Sequence, residues 1–344
     1  MCGYDNKSSN TSIEMKNSKK KYSVFIVPTG VGAKIGGFAG DAGTFARKIS
    51  KEFPLIVNPN VVNAACFSAI TENMLYTEGY TITEFMKGNI SLIPSQNNKI
   101  GVIFDKAISQ DVLNIHINTI NAVKTVYGID VIGWEISDEE TGVNFYTTES
   151  GISTGGVKNT QTLIEAGKKL ITKGANALAV VCKFDEPDED GYANGECVDV
   201  VGGAEAIISH CLTKELNVPT VHAPAFEEYA IKPDLVHPKA AAEYITPTFL
   251  PCLLLGLQNA PLIKKGLDEK FITVNDIETL IMPKNSLGSS IVTNAIEKGI
   301  IVLAIEENTT VLNVDADSLG LSNKVISLKN YDESIKFLRG LNEK

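Results

Sequence analysis

Apolar and polar positions along this chain alternate between short runs of period two and longer stretches of period 3.6. Residues 22–27 (YSVFIV) form an apolar, β-branched run that reads as a buried strand. Between residues 38 and 53, Phe38, Ala42, Phe45, Ala46 and Ile49 fall at helical spacing, and residues 54–58 (PLIVN) read as a second strand. Strand, helix and strand in that order make a βαβ unit, whose strands pair in parallel. The pattern repeats. Strands are predicted at 99–105, 129–135, 143–148, 177–184 and 218–222, and later at 279–282, 300–306 and 325–328. Helices are predicted at 109–127, 159–173, 203–215, 286–298 and 332–341. The fold class expected from this alternation is α/β, three-layer, with a mostly parallel sheet and glycine-rich strand-to-helix loops.

Residues 22–344 read as one large α/β domain with a soft subdivision near 150–160. Residues 1–21 are polar and lack periodicity and an apolar core, so they read as a disordered tail and not a signal peptide. The acidic, turn-rich stretch 185–195 (DEPDEDGYANG) reads as a surface loop or a lid. The apolar segment 246–257 contains Pro251 and is too short to span a bilayer. It reads as a core strand or part of a subunit interface, which leaves a homo-oligomer open.

Composition narrows the function. The 344 residues are 44% hydrophobic and 21% charged, enough for a sizeable core. A net charge of −10 excludes general nucleic-acid binding, because the whole surface repels a phosphate backbone. Cys2, Cys66, Cys182, Cys197, Cys211 and Cys252 form no C-x-x-C pair, so the expected compartment is reducing and cytoplasmic, with no membrane partner.

Four segments place small residues between a strand and a helix: 28–43 (PTGVGAKIGGFAGDAG), 149–159 (ESGISTGGVKN), 199–210 (DVVGGAEAIISH) and 283–292 (PKNSLGSSIV). Small residues admit a ligand close to the backbone, and a helix N-terminus favours an anion. Candidate ligand-binding residues are Thr29, Gly30, Gly32, Lys34, Gly36 and Gly37 in the first loop and Ser153, Thr154, Gly155 and Gly156 in the second. Gly202 and Gly203 follow in the third, and Ser286, Gly288 and Ser289 in the fourth. The first loop spaces its glycines as Gly30-x-Gly32-x-x-x-Gly36, looser than the dinucleotide fingerprint, and Asn58 stands where a ribose-binding acid belongs. Lys34 precedes the glycine pair, which is not the P-loop order. An NAD or ATP site is therefore not supported.

Histidine is scarce. His222 follows the 218–222 strand between prolines, His210 ends its helix segment, and His116 sits inside an amphipathic helix as a structural residue. His222 and His210 are the candidate acid/base groups, with Asp41 or Glu306 orienting them. The same histidines with a carboxylate are compatible with a divalent metal, although no H-E-x-x-H or H-x-H spacing is present. Cys182, before Lys183, is an outside candidate for a nucleophile.

PTGVGAKIGGFAGDAG, NPNVVNAA, NMLYTEGY, GGAEAIISH, VHAPAF, AAAEYITPTFLPCLLLGLQNAP and AIEENTT, in this order, resemble the DUF3326 family, a domain of unknown function common in cyanobacteria. The resemblance runs from about Tyr22 to the C-terminal helix. It implies recurring positions at Gly30, Gly32, Gly36, Gly37, Asp41, His210 and His222, and at Glu306, Glu307 and Asn308. The family is more alanine-rich where this chain reads TTESGISTGG, and no reaction comes with the resemblance. The expectation is an enzyme acting on a small anionic metabolite, with or without a phosphate, by lyase or transferase chemistry. The alternative is a metabolite sensor without turnover.

Overall fold

The computed structural model describes residues 20–38, 40–185, 191–196, 198–227 and 234–343. Most of the expected tail, and residues 186–190 of the expected lid, lie outside the described residues. Two parallel sheets carry the fold. The first has six strands in the order Val325–Leu328, Ile301–Ile305, Ile277–Pro283, Tyr22–Phe25, Leu55–Val57 and Met74–Tyr76. The second has four, in the order Thr220–Ala225, Ala177–Lys183, Ile100–Phe104 and Val131–Ile136. The first sheet thus takes strands from both ends of the chain, and the second is built from the stretch between them.

Period-two alternation decides which helices cover which face. Phe25, Leu55, Val57, Ile281 and Leu303 point to one side of the first sheet, into a core shared with Ala46 and Ile49 of helix Gly43–Ser50 and Leu338 of helix Tyr331–Asn342. Val24, Ile56, Leu280 and Val302 point to the other side, against Ile82 and Phe85 of helix Gly79–Lys87 and Val292 of helix Ser290–Glu297. In the second sheet, Val102, Phe104, Ala179 and Val221 face helix Gln110–Tyr127. Ile103, Leu178 and Val180 face helices Thr160–Thr172 and Gly202–Leu216. Each sheet is therefore the middle of three layers. The largest core runs through both halves, and helix Leu250–Leu257 packs on both.

Several expectations shift. The apolar segment 246–257 contains a buried helix, Leu250–Leu257, with Pro251 in its first turn, where a missing N–H costs nothing. The expected helix at 38–53 shrinks to Gly43–Ser50, because Gly36 and Gly40 take positive φ and hold residues 34–38 and 40–42 in turns and bends. The second glycine segment is largely a strand, Ser153–Val157, antiparallel to Val143–Thr147. The strand expected to end at His222 runs over Thr220–Ala225, so His222 is its third residue and not a loop residue. Helix Gly79–Lys87 has no sequence counterpart above. It is nine residues long, capped by the Glu78 carboxylate and closed by left-handed Gly88.

Two polar residues at strand ends have structural roles. The Asn58 amide accepts from Val27 N–H at 3.1 Å and donates to the Val27 carbonyl at 2.7 Å, extending the parallel ladder by one side chain. Asp105 accepts from the backbone N–H groups of Thr141, Ala107 and Lys183, tying together the ends of three strands. Asn58→Ala leaves the Val27 N–H and C=O unpaired in a buried site. We expect it to lower unfolding free energy by about 1–3 kcal/mol in urea titrations without changing the far-UV spectrum.

Candidate functional site

The four glycine segments meet. The Ser153 N–H donates to the Gly30 carbonyl at 2.8 Å. Its hydroxyl donates to the Val200 carbonyl at 2.7 Å and accepts from Gly203 N–H at 3.0 Å. This contact needs glycine on both flanks. A Cβ at Gly203 would lie 2.2 Å from the Ser153 carbonyl oxygen, and Gly30 has φ +71° with Ser153 Cβ only 3.0 Å from where its own Cβ would stand. On the far side of the first loop, Lys34 N–H donates to the Thr309 carbonyl and Val311 N–H to the Val31 carbonyl. Asn308, fully buried, accepts from Ile35 N–H and donates to the Ile35 carbonyl and the Tyr331 hydroxyl. Asn285 accepts from Thr310 N–H, and Leu287 N–H donates to the Val314 carbonyl, which joins the fourth segment to the others.

Much of the small size of these glycines is therefore used in packing segment on segment. Gly155 lies against Ala204 of the neighbouring helix, and Gly156 pairs with Asn144. Thr154 pairs with Tyr146 in the same hairpin. Gly37 packs on the Ala33 backbone, and Gly288 against Val314. Ser286 is buried and bonds the Pro283 carbonyl, while the buried Ser289 hydroxyl has no partner among the described residues. The start of helix Gly202–Leu216 is capped by its own chain, since Asp199 accepts from Val201 and Gly202 N–H. The first loop differs. Among the described residues, no hydrogen bond is made by the N–H groups of Thr29, Gly30, Gly32 and Ala33, although Gly30 and Ala33 are buried.

Beyond the glycines, helix Gly202–Leu216 carries a buried polar line. Glu205, Ser209 and Thr213 recur every four residues and are all buried. The Ser209 hydroxyl lies 2.7 Å from His222 Nδ1 and 3.2 Å from the Ala206 carbonyl; when it donates to Ala206 it accepts from His222 Nδ1–H, which leaves Nε2 as an acceptor. His210, on the same helix, places Nε2 3.7 Å from Glu78 Oε2. Its side chain is 44% exposed, whereas that of Glu78 is 3% exposed. Glu78 also accepts from Tyr80 and Thr81 N–H as the cap of helix Gly79–Lys87.

Burial moves these groups in opposite directions. It pushes Glu78 up to about 7, against the hydrogen bonds that favour its charged form. It pushes His222 down to about 3, with the neighbouring His210 charge adding to the effect. His210, packed on one side with its ring edge reaching solvent, is lowered by the buried part. Glu205 is held well above the carboxylate range by burial and by the charges of Asp199 and Glu243.

His210 and His222 do come together. Asp41 and Glu306 do not join them. Asp41 accepts from Gly36 N–H inside the first loop and sits 3.8 Å from Lys239 Nζ. Burial raises its pKa, and the Gly36 bond and Lys239 oppose that rise. Glu306 is exposed and accepts from the Ser327 hydroxyl. Among the described residues neither acid has a hydrogen bond or ion pair to either histidine. His116 is structural: fully buried, it stacks edge-on to Phe104 and bonds the Val112 carbonyl. Cys182 is buried and its thiol is pushed far up, which makes it inert as a nucleophile. Glu78, Ser209 and Lys239 were not singled out as site residues by the sequence, and Glu205 reads there as a first-turn helix acid. The spacing of Glu205, Ser209 and Thr213 between Ala204, Ile208 and Leu212 was the available signal.

Among the described residues, no group of three or more His, Cys, Asp or Glu side chains is arranged to hold a metal ion, and no helix is long and apolar enough to cross a membrane. Cys66, Cys182, Cys211 and Cys252 are free thiols. The DUF3326 family, described as proteins of unknown function, matches residues 22–343. An uncharacterized lipoprotein of Synechococcus is 35% identical over 287 residues, covering 81% of this chain and 79% of its own length. No solved structure matches the chain.

Glu78 binds its proton more tightly in the folded state, near 7, than at its ordinary value of 4.5. Its contribution to stability is therefore complete below 4.5 and is lost as pH rises through 7. The His222 contribution has the opposite sign, lost as pH falls from 6.5 toward 3. The stability advantage of wild type over Glu78→Gln should shrink between pH 4.5 and 7, by up to about 1.4 kcal/mol per pH unit in urea titrations.

Proposed function

The chain belongs to the DUF3326 family, and from that membership and the site's geometry we propose a cytoplasmic enzyme that binds a small anionic, phosphorylated metabolite at the glycine loops and moves a proton with the His210–Glu78 pair. The observation that carries this reading is the set of unpaired N–H groups at Thr29, Gly30, Gly32 and Ala33, where the first strand of the large sheet ends. A buried N–H without an acceptor costs free energy, and a phosphate or carboxylate oxygen supplies the acceptor. Ligands in open α/β sheets bind beyond the carboxyl ends of the strands, which is where this loop lies. Lys34 is exposed on the loop, and Lys239 donates to the Lys34 carbonyl, so two cations stand nearby. The net charge of −10 opposes an anion at long range, so these local donors must provide the affinity.

The proton chemistry rests on the second cluster. A carboxyl near 7 beside a half-exposed imidazole can give or take a proton at neutral pH at little cost. Neutral His222, held through Nδ1 by Ser209, offers Nε2 as an acceptor and not as a charge. Gly203 and His210 are seven residues apart on one helix, about 10 Å along its axis. A ligand held at the glycine loops must therefore reach along the helix to the pair. Lyase or transferase chemistry, each with a proton-transfer step, fits this layout. The free thiols are consistent with the reducing compartment proposed.

The test is a melting screen with inorganic phosphate, sugar phosphates, nucleotides and carboxylates. A true ligand at a hundredfold its Kd stabilises by about 2.7 kcal/mol, which raises Tm by several degrees. Incubating that ligand with wild type should yield a product detectable by NMR. His210→Asn should keep the shift and lose the product. No shift with any anion would overturn the reading.

A further inference from the structure

Two thiols from distant parts of the chain meet beside the first glycine loop. Strands Asn63–Ala64 and Phe67–Ser68 form a short antiparallel hairpin whose turn is Ala65 and Cys66. Ala65 takes φ +54°, in the left-handed region, so the chain reverses sharply and leaves Cys66 half-buried at the tip. Helix Leu250–Leu257 packs on both strands of this hairpin. In the first turn of that helix, the Cys252 N–H donates to the Ala65 carbonyl at 3.3 Å. Covalent geometry around such a bond keeps the α-carbons of Cys252 and Cys66 within about 7 Å of each other. That is within reach of the α-carbon separation a disulfide bridges, about 4.4–6.8 Å.

The Cys252 side chain is turned toward the hairpin. The Ala64 N–H is directed at its sulfur, and the Cys66 charge acts on the same group. Cys252 is 1% exposed, and its thiol donates to the Phe249 carbonyl at 3.2 Å. Solvent thus reaches Cys66 and not Cys252, a division that suits an attacking thiol and a resolving one. Burial pushes the Cys252 thiol up to about 12 and raises that of Cys66, so exchange is slow near neutral pH and quickens as pH rises. The hairpin also touches the candidate site. The Ala64 Cβ lies 2.6 Å from where a Cβ on Gly40 of the first loop would stand. The Asn63 amide donates to the Tyr76 hydroxyl at 3.0 Å, two residues before Glu78.

We propose that Cys66 and Cys252 are a redox-active pair, closed to a disulfide by a low-molecular-weight disulfide such as glutathione disulfide and reopened by thiols. The Cys66 thiolate attacks one sulfur of the oxidant, which forms a mixed disulfide and releases one thiolate. Cys252 gives up its proton to solvent and attacks the Cys66 sulfur, and the second thiolate leaves. Both protein thiols are oxidised, and one oxidant disulfide is reduced to two thiols. In a reducing compartment such a bond is transient, as in redox-sensing proteins. Closed, it pins the hairpin that borders the first loop to helix Leu250–Leu257. The proposal stands apart from any ligand at the glycine loops.

The test uses the full chain, reduced, freed of reductant without air and incubated with glutathione disulfide at about pH 8.5, the ordinary thiol value. Peptide mapping by mass spectrometry should find a cross-link between the peptides of Cys66 and Cys252, within one chain and removed by dithiothreitol. Cys66→Ser, at the accessible turn, should keep the wild-type circular dichroism spectrum and lose the cross-link. Cys252→Ser should stop Cys66 at the glutathione adduct. Position 252 is buried, so if that variant does not fold, Cys66→Ser and the wild-type map decide the matter. Four results would overturn the pair: a wild-type chain that stays reduced, one that holds glutathione on Cys66 without closing, one that joins either thiol to another cysteine, or loss of the free Cys252 thiol in Cys66→Ser at the wild-type rate.

Discussion

Ser153 joins parts of the molecule that the chain keeps far apart. Its N–H and hydroxyl bond Gly30, Val200 and Gly203, tying the loop of the first sheet to the helix that covers the second. The side chain is almost fully buried, so these bonds are made away from competing water. Glycine at 30 and 203 is required by this contact itself, because any Cβ would collide with Ser153. Everything ascribed to the site depends on that junction. It fixes the first loop against the start of helix Gly202–Leu216, and so sets where the loop N–H groups, Glu205 and the histidines stand relative to one another.

The helix so anchored has an unusual burden. Glu205, Ser209 and Thr213 are buried where an ordinary core helix would carry leucine or alanine. Such a line costs stability unless each group is satisfied, and here some are and some are not. Ser209 and His222 satisfy each other. Glu78 is satisfied by the helix it caps yet keeps a pKa near 7. Glu205 is held well above the carboxylate range by burial and by the charges of Asp199 and Glu243. Functional sites are where proteins tolerate such unfavourable groups, and the concentration of shifted carboxyls and imidazoles along one helix sets this region apart from the hydrogen-bonded polar residues Asp105, Asn58 and Asn308.

The layers were legible in the sequence because period-two runs such as 22–27 and 177–184 and helices such as 109–127 are strong local signals. What the pattern could not show is that the strands divide between two sheets. That division depends on pairings between residues as distant as Tyr22 and Ile277. The second glycine segment misled because Gly155 and Gly156 look like loop residues. They are glycines because the strand lies against Ala204 and Asn144. The histidine pair was legible as two separate motifs, whereas Glu78 was hidden in a short helix of weak pattern. Asp41 was attractive as a first-turn helix acid and Glu306 as an acid at a strand end, but position along an element does not say which way an acid turns.

Hydrogen exchange at single-residue resolution over the first loop addresses the central claim most directly. In the free protein, the amides of Thr29, Gly30, Gly32 and Ala33 should exchange fast. Those of Lys34, Ile35 and Gly36, bonded to Thr309, Asn308 and Asp41, should exchange slowly. Saturation with a phosphate-bearing ligand should slow the first group and leave the second unchanged. Fast exchange of the first group that no anion alters, or protection equal to the second group in the free protein, would contradict the account.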